Sequence, residues 1–345
     1  MNPRFFEWYV RRVWPLQRLA VRGLARRCRS CLISERCTPL GHDGRCAECA
    51  RPTNAPAIAA PPADPTEMAR RFDDTLARAS AGTGRYHAAL LLSGGKDSAY
   101  ILHRLRTTHP ALRLLCLTVD NGFMPANTHA NCTRAAARTG TDLLVLGAHR
   151  SRFAETLRAA FLDLRGRGAY GVVDHADGSL IFQLGQQAAA DLGIPLVVGG
   201  LSWVQLQRIV GLGGDRFAIE QPGAPTQIFP LAVWRTDEQE IRAEVRRLGL
   251  LNPGHDSPVA TNSELVLPMC VVDLLTLGYC SFEPEFAQLV REGKTDRRLW
   301  RGIFEALEHG TRSGRLVADA DRALARLGLS VATILGRRSP AGATP

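Results

Sequence analysis

Two groups of residues in this 345-residue chain have types and spacings suited to chemistry. The first is Ser93-Gly94-Gly95-Lys96-Asp97-Ser98, which follows the apolar run Leu90-Leu91-Leu92 and precedes Ala99-Tyr100-Ile101-Leu102. Two glycines let a backbone approach an anion closely, and helix N–H groups, a lysine and two hydroxyls would then face the oxygens of a polyphosphate. The Walker A spacing G-x-x-x-x-G-K-[ST] is missing, so this is a different phosphate loop. The second group is Cys28-x-x-Cys31 and Cys46-x-x-Cys49, fourteen residues apart, with Gly41 and Gly44 between them. Four thiolates in two knuckles can close a tetrahedral, structural Zn²⁺ site with no open position for a reactant. Cys37 and His42 lie in the same span and could replace a ligand; disulfides are the competing reading.

Such a phosphate loop needs a strand before it and a helix after it, and the flanking pattern supplies both. Apolar runs predict strands over 87–92, 112–119, 142–147 and 194–199. Helical periodicity predicts helices over 66–80, 97–107, 126–139, 151–164, 179–192 and 236–249. Strands that alternate with helices, each strand a continuous apolar run, predict an α/β fold with a doubly wound parallel sheet covered on both faces. The expected organisation is a basic amphipathic helix (1–27), a zinc-binding knuckle (28–50), a Pro/Ala-rich linker (51–65), a nucleotide-binding domain (66–235) and a helical C-terminal region (236–345). No internal repeat is present.

Within this scheme the second strand ends at Asp120-Asn121-Gly122, an acid and an amide at the carboxyl edge of the sheet, where open α/β sheets bind ligands. The strand at 194–199 runs into Gly199-Gly200, a further point of close backbone approach. Asp174-His175 precedes the helix at 179–192 and could hold a metal, bind substrate or cap a helix. Cys116, Cys132, Cys270 and Cys280 fall in apolar stretches and read as small buried side chains.

The formal net charge is +10, but residues 1–27 hold seven arginines against one glutamate, so the body is only mildly basic. A broad nucleic-acid face is therefore disfavoured. Arg4, Arg11, Arg18, Arg22 and Arg26 share one helical stripe opposite Phe6, Tyr9, Val10, Val13, Ala20 and Leu24, and Pro15 must interrupt the helix. The segment either packs on its own domain or docks on a membrane surface or a partner. The sequence has no run of eighteen apolar residues and no secretory signal pattern, which predicts a cytoplasmic protein, with peripheral attachment at the inner face of the membrane as a variant.

The S-G-G-x-D-S loop resembles the signature of the PP-loop ATP pyrophosphatase superfamily. The resemblance implies cleavage of ATP between its α and β phosphates with Mg²⁺, and transfer of AMP to a carbonyl oxygen. In that setting Ser93, Gly94, Gly95, Lys96, Asp97 and Ser98 bind the phosphates, with Asp97 near Mg²⁺. Asp120 and Asn121 stand beside the adenosine, and Gly199 and Gly200 line the same site. The paired Cys-x-x-Cys motifs, Asp174-His175, Thr261-Asn262 and Glu285-Phe286-Ala287 with Arg291-Glu292-Gly293-Lys294 together resemble the N-acetyl sugar amidotransferases of bacterial surface-polysaccharide biosynthesis. This likeness spans roughly residues 28–295; Gly199-Gly200-Leu201 departs from the family's Gly-Gly-Asn. It implies that an amide or carboxyl oxygen of a sugar derivative is adenylated and replaced by ammonia-derived nitrogen, with Lys96, Asp97, Asp174 and His175 as the catalytic group. Met1-Asn2 offers no N-terminal cysteine, and the sequence holds no Gly-x-Cys-x-Gly elbow, so a separate glutaminase subunit is the implied ammonia source.

Two other readings stay open. One is PP-loop modification of tRNA, by thiolation or base aminoacylation; the absence of cysteine from 148–193 argues against thiolation. The other is a non-catalytic nucleotide-binding scaffold.

Overall fold

The computed structural model describes residues 3–51, 64–147, 149–164, 166–206, 211, 216–257 and 259–336, without the side chain of Val204. Most of the expected linker, Met1, Asn2 and Pro258 lie outside these residues. The chain divides into two compact units, each assembled from separated stretches: Pro56–Arg150 with Ser179–Asn262, and Met1–Ala55 with Ser151–Gly178 and Ser263–Pro345.

The first unit is built on a six-stranded sheet. Its strands are β1 (Ala88–Leu91), β2 (Leu114–Val119), β3 (Asp142–Leu146), β4 (Leu196–Val198), β5 (Ala218–Ile219) and β6 (Thr226–Ile228), in the spatial order β3-β2-β1-β4-β6-β5. β1 pairs in parallel with β2 (Leu90 opposite Cys116) and with β4 (Leu90 opposite Val198); β5 closes the far edge antiparallel to β6. The winding direction reverses between β1 and β4, and this is where doubly wound sheets open a crevice at their carboxyl ends. Alternation along β1 sends Ala88 and Leu90 into one core with Met68, Phe72, Leu76, Ile101 and Ile228. Ala89 and Leu91 enter a smaller core with Leu115, Leu117, Ala189 and Val197 on the other face.

The helices Pro65–Ser80, Lys96–Thr108, Ala126–Thr139 and Glu238–Arg247 agree with the sequence expectation to within a residue or two, because caps fix their ends. Asp64 accepts from Thr66 N and Glu67 N, Asp237 accepts from Gln239 N, and Gly140 takes a left-handed cap. One expectation needs correction. β3 is not covered: it is the edge strand, with Leu144 and Val145 exposed. Between 200 and 235 the structure adds β5, β6 and the short helix Pro230–Trp234, which the periodicity does not predict. These elements are too short to show a period.

The second unit is mainly helical. The predicted N-terminal helix is broken into Pro3–Arg12, Trp14–Gln17 and the 3-10 turn Arg18–Ala20, with Pro15 in the first turn of the middle piece; residues 21–27 are not helical. Val10 and Trp14 are buried, and Trp14 Nε1 donates to Glu305 Oε2 on the helix Arg297–Arg312 at 3.2 Å. Part of the basic stripe is neutralised within this unit: Arg11 binds Asp296 at 2.7 Å and Arg18 binds Glu305 at 2.6 Å.

Candidate functional site

The phosphate loop leaves β1 and turns into the helix Lys96–Thr108, whose N-cap, Gly95, makes no side-chain capping bond. The first-turn N–H groups, with the helix dipole behind them, thus form an anion seat. Gly94 has φ +69°, and a Cβ there would collide with the carbonyl oxygen of Thr128, so both conformation and space require glycine. The turn is held from inside. Ser93 N donates to Ser98 Oγ at 3.2 Å, the two hydroxyls lie 3.1 Å apart, and Ser98 Oγ reaches Gly95 O at 3.2 Å. Asn131 Nδ2 donates to Gly94 O at 3.0 Å, and its own Oδ1 accepts from Asn252 N at 2.8 Å.

Lys96 Nζ lies 2.8 Å from Asp97 Oδ2 and 3.6 Å from Glu238 Oε1. Burial alone would raise the Glu238 carboxyl, but the charges of Lys96 and Arg242 outweigh it and hold it below the usual range. Lys96 therefore sits between two carboxylates beside an anion seat. An incoming phosphate would compete for that lysine, and a divalent cation would give the carboxylates another counter-charge. Asn262 Nδ2 lies 3.5 Å from Ser93 Oγ, and a Cβ on Gly95 would come within 2.6 Å of the same nitrogen.

Asp120 and Asn121 lie buried at the end of β2, and both form turns. Gly122 N donates to Asp120 Oδ1 at 2.8 Å, and Phe123 N donates to Asn121 Oδ1 at 2.8 Å. Arg150 Nη2 is ion-paired with Asp120 Oδ2, and His129 Nε2 stands 3.6 Å from the same oxygen. Burial would push Asp120 up, yet the bond from Arg150, the Gly122 N–H and the charges of Arg150 and His129 depress it. The helix Ala126–Thr139 joins the two ends of the site: Thr128 packs on Gly94 while its neighbour His129 faces Asp120. Gly199 follows β4 and is required for packing, since a Cβ would sit 2.7 Å from Phe229 and 2.8 Å from Phe182. A Cβ on Gly200 would have Ser98 N as its nearest neighbour, at 3.9 Å.

The loop, Asp120, Asn121, Gly199 and Gly200 therefore all lie at the carboxyl ends of β1, β2 and β4 in one unit. Asp174 and His175 belong to the other. Asp174 ends a π-helical turn, Tyr170–Asp174, and His175 opens the helix His175–Asp191. Asp174 is open to solvent, but the protein mass around it, with Asp177 and Glu285 nearby, pushes its carboxyl up to about 6. Arg150, His129, Asn131 and Glu238 went unnoticed in the sequence because they reach the site from three different helices with no motif around them.

In the helical unit Cys28, Cys31, Cys46 and Cys49 present four sulfurs that all lie within 4.8 Å of one another. Cys31 Sγ and Cys46 Sγ are 3.6 Å apart, against about 3.8 Å for thiolates at tetrahedral corners around zinc. All four cysteines are unbridged, and Cys37 and His42 stand outside the group. Burial opposes ionisation of Cys28, but N–H groups of Cys31, Cys46 and Ser30 aimed at its sulfur bring the thiol down to about 7. Cys31 is pushed up, first by burial and then by the neighbouring thiols, and Cys49 is pushed up to about 11, again first by burial. Four thiols this close cannot ionise together without a cation among them, so the donor set suits a thiophilic metal.

The segment Glu283–Arg291 supports this group from one helical face. Glu283 accepts from Arg27 Nη1 at 2.8 Å and from Ser34 N at 3.1 Å, Ala287 packs on the cysteines, and Arg291 binds Glu48 at 2.7 Å with its charge toward Cys31 and Cys49. Positions 283, 287 and 291 are one turn apart, so a single stripe grips the knuckle three times.

No protein-family model matches the chain, and no curated protein does. Solved structures of similar fold include the NH3-dependent NAD synthetase from Campylobacter jejuni (15% identity, 72% of this chain and 96% of that one, TM-score 0.37). The U34-tRNA thiolase NcsA from Methanococcus maripaludis with its [4Fe-4S] cluster (16%, 79% and 88%, 0.38) is another, as is NAD+ synthetase from Burkholderia pseudomallei (21%, 74% and 92%, 0.37). Likeness at this level decides nothing about the reaction, which must be argued from the chain's own residues.

Proposed function

We propose that the chain is an ATP-consuming enzyme of the PP-loop type. The observation that carries the proposal is the Ser93–Ser98 loop, seated at the carboxyl end of β1 beside the reversal of the sheet, with Gly94 fixed by φ and by Thr128. An uncapped helix N-terminus takes the phosphate oxygens and Lys96 adds charge to them. Asp97 and Glu238 stand where a Mg²⁺ ion would find carboxylate ligands, and that ion would neutralise the charge that develops on the leaving pyrophosphate.

We further propose that the acceptor is an amide or carboxyl oxygen of a sugar derivative, and that the second nucleophile is ammonia from a glutaminase subunit. The acceptor oxygen attacks the α-phosphorus and pyrophosphate leaves. Ammonia then attacks the activated carbon, AMP departs with the acceptor oxygen, and a proton is released. An acetamido group would thereby become an acetamidino group. Nitrogen is favoured over sulfur because 148–193 holds no cysteine, and because Cys116 and Cys132 are buried thiols whose burial pushes their ionisation up, Cys116 to about 12. Zinc is favoured over an iron–sulfur cluster at the cysteines, because a four-iron cube would hold its thiolates farther apart.

The test is product analysis with ATP, Mg²⁺, an ammonium salt and N-acetylated sugars. AMP and pyrophosphate in equal amounts support the reading, and Lys96→Ala should lower their formation by about a hundredfold or more. Formation of ADP and phosphate would exclude it.

A further inference from the structure

The N-terminal helical segment has three faces, and the third is turned to water. Val10 and Trp14 face the interior, and Arg11 and Arg18 bind Asp296 and Glu305. Facing outward are Phe5, Trp8, Leu16 and Leu19, with 57%, 52%, 73% and 81% of their surfaces in water. They recur at intervals of three, eight and three along the segment, and Arg12 stands exposed between Trp8 and Leu16. Half of the eight large apolar side chains exposed among the described residues thus crowd into one short segment.

Charge decides what covers this ridge. Exposed Arg12 stands among these side chains and exposed Arg22 follows them in the chain, and the only acid in residues 3–27, Glu7, is bound by Arg11 at 3.0 Å. A second copy of the chain would have to set the same arginines against each other in a self-complementary interface. An anionic surface would instead attract them, while the exposed aromatic and leucine side chains of such a segment enter the headgroup region. The helix Pro3–Arg12 has ten residues, and no helix among the described residues is long and apolar enough to cross a membrane, so this segment would lie on a bilayer rather than span it.

We propose that Phe5, Trp8, Leu16 and Leu19, with Arg12 among them, form a surface that docks the protein on an anionic phospholipid bilayer. This surface is independent of the ATP reading, because it uses none of the loop's residues.

The experiment is cosedimentation of the full chain with vesicles of phosphatidylcholine, with and without phosphatidylglycerol. Binding is expected only to the anionic vesicles, and it should weaken as salt is added. Leu16→Ser and Leu19→Ser should each lower the partition coefficient by about tenfold, the scale for one large apolar side chain. Arg12→Glu should abolish the preference for anionic vesicles while leaving the apolar ridge intact. Each variant is accepted only with unchanged melting temperature and metal content. Lack of sedimentation at low salt overturns the proposal, as does binding that the leucine variants leave unchanged. Light scattering that shows a vesicle-free dimer split by Leu19→Ser would assign the ridge to self-association and overturn it too.

Discussion

Gly94 shows how one residue's geometry can be tested without assuming the acceptor. Alanine at this position must hold a left-handed backbone, which costs about 1–2 kcal/mol, and must also displace the Thr128 carbonyl. Gly94→Ala should therefore lower the melting temperature slightly and abolish ATP-dependent stabilisation, both readable in one thermal-shift experiment. Asp120 gives a pH prediction. Its carboxyl is depressed in the folded state, so the stability it contributes is present above its unfolded pKa and is lost as pH falls through the folded value. Asp120→Asn should flatten the acid limb of the stability profile, and acid titration of the melting temperature checks it. Asp174 has the opposite sign. With a carboxyl raised to about 6, the folded state binds its proton more tightly than the unfolded state, so its ionisation destabilises progressively as pH rises from about 4 through 6. Asp174→Asn should raise the melting temperature at pH 8 relative to wild type, and less so, or not at all, at pH 4.

At the scale of elements, the helix Glu283–Arg291 is where the sequence motif and the structure are most informative together. Glu283→Ala would leave buried Arg27 with Glu308, 3.9 Å away, as its remaining carboxylate, and with its guanidinium still 4.9 Å from the Phe304 ring. Loss of the closer partner of a buried pair costs up to about 3–5 kcal/mol, which urea denaturation would resolve. Cys46→Ser should reduce bound metal below one equivalent by elemental analysis and lower the melting temperature, because the knuckle has little core of its own. Much of this organisation was legible in the sequence. The strands announced themselves as apolar runs, the phosphate loop by its glycines, and the cysteine group by its spacing. Three kinds of feature stayed hidden. β5 and β6 have two and three residues, too few for a period. The Arg150, His129 and Asn131 contacts are made across helices, where spacing along the chain carries no signal. The π-helical turn Tyr170–Asp174 differs from an α-helix in its bonding, not in its residue types.

At the scale of the whole molecule, the two units interleave along the chain, which no reading of consecutive segments anticipates. The helical unit draws on the beginning, middle and end of the sequence, and the sheet unit occupies the stretches between. The helical unit is complete only once its last stretch, from Ser263 on, has been made. A chain ending at Asn262 would retain every strand of the sheet but none of Asp273, Glu283 or Arg291. Such a fragment is expected to keep ATP-dependent thermal stabilisation only if the sheet unit folds by itself, and to bind zinc more weakly than the full chain. Calorimetry of zinc binding to both chains measures the difference.

The stripe at 283, 287 and 291 sets a schedule for synthesis. The four cysteines leave the ribosome about 230 residues before the helix that grips them. At ordinary elongation rates that interval is roughly ten to fifty seconds. Through that time the knuckle has its thiols but neither the Glu283 partner of Arg27 nor the Arg291 charge beside Cys31. An ion captured then would add to the few bonds the knuckle makes within itself, such as Arg29 N to Gly44 O at 2.9 Å and Cys46 N to Cys28 Sγ at 3.3 Å, and would hold the four thiols together until the helix arrives.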